Sequence, residues 1–198
     1  MNIKTEIHLI DGVLESIVAK IINKDFADLY SEKFNTKDLP EHKEFSVFPN
    51  DYTPLKYLFE ELDKKENHCL YWFELDTLEK AKELNSLIDN YRLKKGQSVY
   101  RAVPATNKNK DSKVLYVGIR RGCKNKKGLT NIVGRINQHL GYYENAQTQG
   151  LQLFHYTNNL DFEVTLNVVE FKDLVDPMYL NLLEKMVADR LKPLCGRH

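Results

Sequence analysis

Residues 113–141 read KVLYVGIRRGCKNKKGLTNIVGRINQHLG, and three local signals follow one another in this stretch. KVLYVGI (113–119) is a short run of β-branched and aromatic residues bounded by polar ones, the pattern of a strand. RRGCKNKKG offers no apolar period and reads as a basic loop. Thr130 or Asn131 can then cap a helix that runs to about Leu140 and stops at Gly141. On that helix Ile132, Ile136 and Leu140 form the core stripe. At 100° per residue, Arg135 and His139 fall together along one edge of it, one turn apart.

Outward from this stretch, SVYRAV (98–103) and KVLYVGI flank the polar PATNKNKDS and are expected to pair as a hairpin. HCLYWFEL (68–75) reads as a buried strand, and Asp76 or Thr77 as the cap of a helix ending before Gly96. Toward the C-terminus, QTQGLQLFHYT suggests a short helix and DFEVTLNVVEF (161–171) a strand. Asp176-Pro177 then opens a last helix that ends near Lys192-Pro193. Upstream, residues 12–34 carry apolar residues at helical spacing and predict a helix. A connector with Pro40 and Pro49 follows, then a short helix beginning near Pro54. The expected fold class is α/β (α+β). It comprises a small, mainly antiparallel sheet of three to four strands flanked by helices over 68–198, with a helical N-terminal extension over 1–67.

The chain has 198 residues, 42% of them hydrophobic, and carries a net charge of +1. That small total hides an asymmetry. Between Arg92 and Arg135 thirteen lysines and arginines accompany a single acid, Asp111, a local charge of +12 against −11 for the rest. A basic segment on an otherwise acidic body suits a polyanionic partner, although a lysine-rich loop is also an ordinary solvated surface. Cys69, Cys123 and Cys195 form no C-x-x-C pair, and the six histidines show no ligand spacing. No apolar run is long enough to span a bilayer. MNIKTEIHLIDG lacks the regions of a secretory signal, so a cytoplasmic location is expected.

Several side chains ask for more than packing. An arginine at the rim of a core can grip phosphate with its guanidinium fork, and a neighbouring histidine offers a titratable base. Glu184 has Leu180, Val187, Ala188 and Leu191 as its helical neighbours, so its carboxylate lies on an apolar face. Burial of such a charge requires a pairing cation, such as Arg135, or a metal ion. Tyr71, Tyr100 and Tyr116 all fall on expected strands, where aromatic residues are ordinarily core.

Taken in order, these residues resemble the GIY-YIG endonuclease superfamily, over about residues 68–198. The matching pieces are Tyr116-Val117-Gly118, then Arg135 with His139, then Glu184, then Leu191-Lys192-Pro193. The chain is most similar to a small bacterial branch with LYVG, RxxxHLG and a C-terminal KPxxG. Either Tyr71, in Cys69-Leu70-Tyr71, or Tyr100, in Ser98-Val99-Tyr100, fits the tyrosine of the first motif strand. Gly196 stands where many members carry asparagine. The resemblance implies an endonuclease acting on DNA, or RNA. Glu184 would be the ligand of one Mg²⁺ or Mn²⁺ ion, and Tyr71 or Tyr100 with Tyr116, Arg135 and His139 would be the catalytic set. A tyrosine would take the proton of the attacking water, with Arg135 and His139 supplying positive charge or relaying the proton. Arg101, Lys113, Arg120, Arg121, Lys124, Lys126 and Lys127 would contact phosphates. A module that keeps this fold and binds nucleic acid without cutting it is the alternative.

Overall fold

Strand β2 (His68–Leu75) has a partner on each side, and this places everything else. In the computed structural model, which describes residues 3–41, 55–98, 100–122, 131–143, 149–174 and 176–196, β2 pairs with β3 (Val114–Arg120) and with β4 (Glu163–Phe171). The strand β1 (Leu29–Asn35) pairs with the far side of β4. The result is an antiparallel four-stranded sheet in the order β1-β4-β2-β3. Nearly every residue of β2 is buried because both faces of the sheet are covered.

Side chains alternate across β2. Cys69, Tyr71, Phe73 and Leu75 face one layer, formed by α2 (Lys56–Asp63), α3 (Leu78–Arg92), α4 (Ile132–Leu140) and the single turn α5 (Phe154–Thr157). Leu70 and Trp72 face the other, where Val18 and Ile21 of α1 (Ile3–Ile22) meet Leu180, Leu183 and Val187 of α6 (Pro177–Leu191). The two layers share the sheet as their floor. Burying a side chain the size of Leu or Phe on either side contributes about 2 kcal/mol.

The local signals at element ends are the expected ones in several places. Thr77 Oγ1 accepts from the Lys80 amide at the start of α3, and Asp176 accepts from the Met178 amide at the start of α6, with Pro177 in its first turn. Gly141 closes α4 at φ +108°, a conformation that costs glycine little.

Two expectations are corrected. The helix expected over 12–34 is α1, which runs over Ile3–Ile22, and LYSEKFN (29–35) is instead the edge strand β1. Lys24 at φ +58° ends the helical path. The edge of β4, rich in buried β-branched residues, then gains a backbone partner from Glu163 to Val169. The N-terminal third therefore contributes a strand to the sheet as well as helices. The hairpin between 98–103 and β3 does not form either. Residues 100–105 form no strand, and β3 takes β2 as its partner on that side. The other edge of β3 is partly closed by the C-terminal segment, where the amides of Leu194 and Cys195 donate to the carbonyls of Val114 and Leu115 at 2.9 and 3.0 Å. A single-sequence reading favours the nearest strand partner, whereas the aromatic-rich β2 has far more apolar surface to bury against β3.

Pro49, Pro54, Val99, Thr130 and the loop lysines 124, 126 and 127 lie outside the described residues. No helix among the described residues is long and apolar enough to cross a membrane.

Candidate functional site

In the β2–β3 ladder Tyr71 pairs with Gly118 and Phe73 with Tyr116, so Tyr71, Tyr116 and Gly118 share the face that meets α4. Neighbouring tyrosines on one face would normally crowd the residue between them. Here that residue is Gly118, and the Tyr71 phenol lies over its bare backbone. The two rings stand 6.2 Å apart with their planes 24° from parallel. The motif tyrosine and glycine therefore have one geometric purpose: they let a second phenol, from β2, reach the same spot.

Helix α4 delivers the other half. Arg135 Nε donates to Tyr71 Oη at 2.9 Å and its Nη2 donates to Tyr116 Oη at 3.1 Å. Nη1 donates to the Gln149 carbonyl at 2.9 Å and also to Gln138 Oε1. One guanidinium is thus fixed by four oxygens, with its charge held against two phenols. Burial works against that charge, and the two phenols more than offset it, raising the Arg135 pKa further.

His139 sits beneath this pair, fully buried. Its Nδ1 accepts the Leu151 amide at 3.0 Å, which assigns the ring proton to Nε2. Nε2 therefore donates to Tyr71 Oη at 2.9 Å. Burial, and secondarily the Arg135 cation, push the His139 pKa well below its ordinary value. The expectation that His139 supplies positive charge is corrected: the ring is neutral at physiological pH and acts as a fixed donor to Tyr71.

Tyr71 Oη consequently accepts two N–H donors while buried from solvent. Burial raises its pKa, the nearby Tyr116 adds to the rise, and Arg135 opposes it. Tyr116 differs in the respect that matters for a substrate, because it is only partly buried and lines an open cleft of about 340 Å³. Its pKa is also raised, by burial first, with Arg135 acting to lower it.

Arg135, Gln138, Gly134, Ile119, Arg120, Tyr143 and Glu184 line the same cleft. Glu184 comes from the opposite layer. Helix α6 packs under the sheet, and β3 is the outer strand, so a side chain on α6 beyond that edge reaches the space in front of Tyr116. Leu180, Val187 and Ala188 are buried as its helical spacing implies, while Glu184 itself is half-buried at the cleft wall. Its negative charge is felt at both phenols, where it raises the pKa.

Five of the expected catalytic residues therefore converge: Tyr71, Tyr116, Arg135, His139 and Glu184. Tyr100 does not join them. It stacks on Tyr91 at 5.4 Å, in a separate aromatic group with His155 and Tyr156, so of the two candidate tyrosines it is Tyr71 that stands beside Tyr116. Of the expected phosphate contacts, Arg120 lines the cleft and Arg121 is exposed beyond it. Arg101 reaches the carbonyl of Tyr143 at the rim, and Lys113 donates to the Asp76 carbonyl at 2.8 Å. Gln138 and the Leu151 amide were not anticipated. Gln138 lies three residues after Arg135, a spacing that could have flagged it. The Leu151 contact depends on a chain return that no local pattern shows.

A divalent ion fits the donor set in one form only. No group of three or more His, Cys, Asp or Glu that could enclose a metal occurs among the described residues. Glu184 would be a single hard oxygen ligand, with water and substrate oxygens completing the shell, which is how Mg²⁺ is commonly held.

Comparison of the chain with protein-family models, with curated proteins and with solved structures finds no match.

Proposed function

We propose that the protein is a divalent-metal-dependent endonuclease of the GIY-YIG type that hydrolyses phosphodiester bonds in DNA. The observation that carries this reading is the cleft itself: the Tyr116 hydroxyl, the Arg135 guanidinium and the Glu184 carboxylate line one open space of about 340 Å³. Three chemistries that phosphodiester hydrolysis needs, a proton acceptor, a cation for the phosphoryl oxygens and a ligand for a metal, meet in that space. The free, buried Cys69 and Cys195 are in keeping with work in the reducing cytoplasm.

In this mechanism water attacks phosphorus and the bond from phosphorus to the 3′ oxygen breaks. Tyr116, in its ionised form, takes the proton of the attacking water, and the departing 3′ oxygen is protonated from solvent. Arg135 favours that ionised form and faces the charge that builds on the phosphoryl oxygens. Tyr71 does not touch the substrate. Its oxygen holds Arg135 Nε in place and is itself held by His139, so the guanidinium needs little reorganisation during the reaction. Glu184 would hold Mg²⁺ or Mn²⁺, which when bound acts as a Lewis acid and stabilises the leaving oxygen. Arg120 and Arg121, with the lysines of the loop after β3, would contact flanking phosphates.

The test is conversion of supercoiled plasmid to nicked and linear forms with and without Mg²⁺ or Mn²⁺. Metal-dependent nicking that Glu184→Ala abolishes, with DNA binding retained, is the expected result. DNA shifted in a gel but never cut, with Glu184→Ala indistinguishable from wild type, makes the protein a binding module instead.

A further inference from the structure

A hollow of about 690 Å³, twice the volume of the cleft, lies between the last two turns of α6 and the segment 106–109. Lys108, Lys185 and Lys192 line it, with Asn107 and Asn109. Its one acid, Asp189, is taken by Lys192 Nζ at 2.6 Å, which holds its carboxyl below the usual range. Lys108 and Lys185 are exposed, and no carboxylate among the described residues pairs with either. The walls are fixed relative to each other. Asn107 Nδ2 donates to the Pro193 carbonyl at 2.9 Å and Asn109 Nδ2 to the Lys192 carbonyl at 2.6 Å. These bonds also occupy carbonyls at the end of α6 that would otherwise repel an anion.

We infer that this hollow is a second phosphate-binding stretch of the nucleic-acid track, occupied by the substrate strand as it leaves the cleft. The inference rests on the nuclease reading of the neighbouring site. Continuity along α6 supports it: Glu184 lines the cleft, and Lys185 and Ala188 line the hollow. At 1.5 Å of rise per residue, Ala188 lies about 6 Å and Lys192 about 12 Å along the axis from Glu184. A strand that advances about 3.4 Å per nucleotide covers that distance in roughly two to four nucleotides. Lysines, as mobile point charges on long stems, suit phosphates whose exact position shifts with sequence. The pairing of Asp189 with Lys192 leaves the hollow two uncompensated cations, one for each of two successive phosphates.

The test is fluorescence anisotropy of a labelled 20-base-pair duplex with the full-length protein in EDTA, across a series of salt concentrations. Lys108→Gln/Lys185→Gln is compared with wild type and with Lys33→Gln/Lys37→Gln, a control at the β1 edge. Loss of two phosphate contacts lowers the slope of log K against log salt by about 1.8, and each lost contact contributes about 0.9. The expected result is that drop, an affinity about sixtyfold weaker near 0.1 M salt, and no change in the control. Wild type that binds DNA with a slope the double variant leaves unaltered overturns the inference and leaves the nuclease reading standing. Wild type that neither binds nor cuts DNA overturns both. A mononucleotide or inorganic phosphate that displaces the duplex at micromolar concentration, in a lysine-dependent manner, assigns the hollow to a small ligand and overturns the strand assignment.

Discussion

Gly118 lies directly across the β2–β3 ladder from Tyr71, and a Cβ added there would sit 2.6 Å from Tyr71 Oη and 2.7 Å from Tyr116 Cε1. Neither ring can step aside, because Arg135 holds both hydroxyls and His139 holds one of them. Gly118→Ala should therefore overpack the site and cost about 1–3 kcal/mol. For a chain of this size each kcal/mol lowers the melting temperature by roughly 2–4 °C. A circular-dichroism melt checks this, and an unchanged midpoint would show that the rings do not press on this position. Nicking should fall too, since both phenols must move together.

The two tyrosines should separate stability from activity. Tyr71→Phe leaves Arg135 Nε and the His139 Nε2 proton without their acceptor in a buried place, at about 1–3 kcal/mol for each unsatisfied group. Tyr116→Phe faces an open cleft where water can replace the lost oxygen, so the fold should hardly notice. Cleavage should fall by about 10²–10⁴-fold, the usual share of a general base. Because the Tyr116 pKa is raised, the wild-type rate should climb about tenfold per pH unit between pH 6 and 9, following the ionised fraction. A flat profile, or a Tyr116→Phe variant that cuts normally, would remove the tyrosine from the chemistry.

His139 gives a stability effect of the opposite sense to a surface histidine that gains a carboxylate partner. Its pKa in the folded chain is depressed well below the unfolded value near 6.5. Below that pH the unfolded chain binds a proton that the folded chain refuses, so stability falls as pH falls. Between pH 6.5 and 5.5 the loss from this group is about 1 kcal/mol, and it continues until the folded pKa is reached. Urea denaturation at the two pH values should show this loss in wild type, and His139→Gln should lack it. If both lose stability in parallel, the ring is not held neutral.

These relationships were unequally legible in the sequence. Helical spacing showed that Arg135, at the rim of an apolar stripe, and Glu184, among Leu180, Val187 and Ala188, each need a polar destination, whereas their meeting in one cleft was expected only from the family resemblance. Strand β2 was legible from HCLYWFEL alone. Which tyrosine partnered Tyr116 was not, because Tyr71 and Tyr100 both stand on plausible strands, and the choice depended on how much apolar surface each could bury against β3. The edge strand β1 was hidden for a related reason. Phe26, Leu29, Tyr30 and Phe34 continue the apolar spacing of α1 closely enough to look helical, and pairing with β4 makes the last three of them part of a strand. The neutrality of His139 was beyond reach, since it depends first on complete burial and then on the nearby Arg135, and its tautomer on an amide at Leu151 that the chain brings back.

Gly196 stands where the sequence resemblance leads one to expect asparagine, and the backbone accounts for the residue. Gly196 adopts φ +126°, which L side chains rarely enter, while its amide donates to the Ala105 carbonyl at 2.9 Å. Just before it, Cys195 is bonded to the Leu115 carbonyl through its amide, so the C-terminal segment closes the edge of β3 directly beside Tyr116. Gly196→Asn should thus strain this closure by about 1–3 kcal/mol, lower the melting temperature and leave nicking no faster than wild type. Gly196→Ala should cost a similar amount, because conformation rather than the lost amide decides the outcome. Measured side by side, an asparagine variant that melts like wild type and cuts faster would show that the position is a missing catalytic amide. Equal losses for asparagine and alanine would show that glycine is required by the turn, and that the cleft is complete without an amide there.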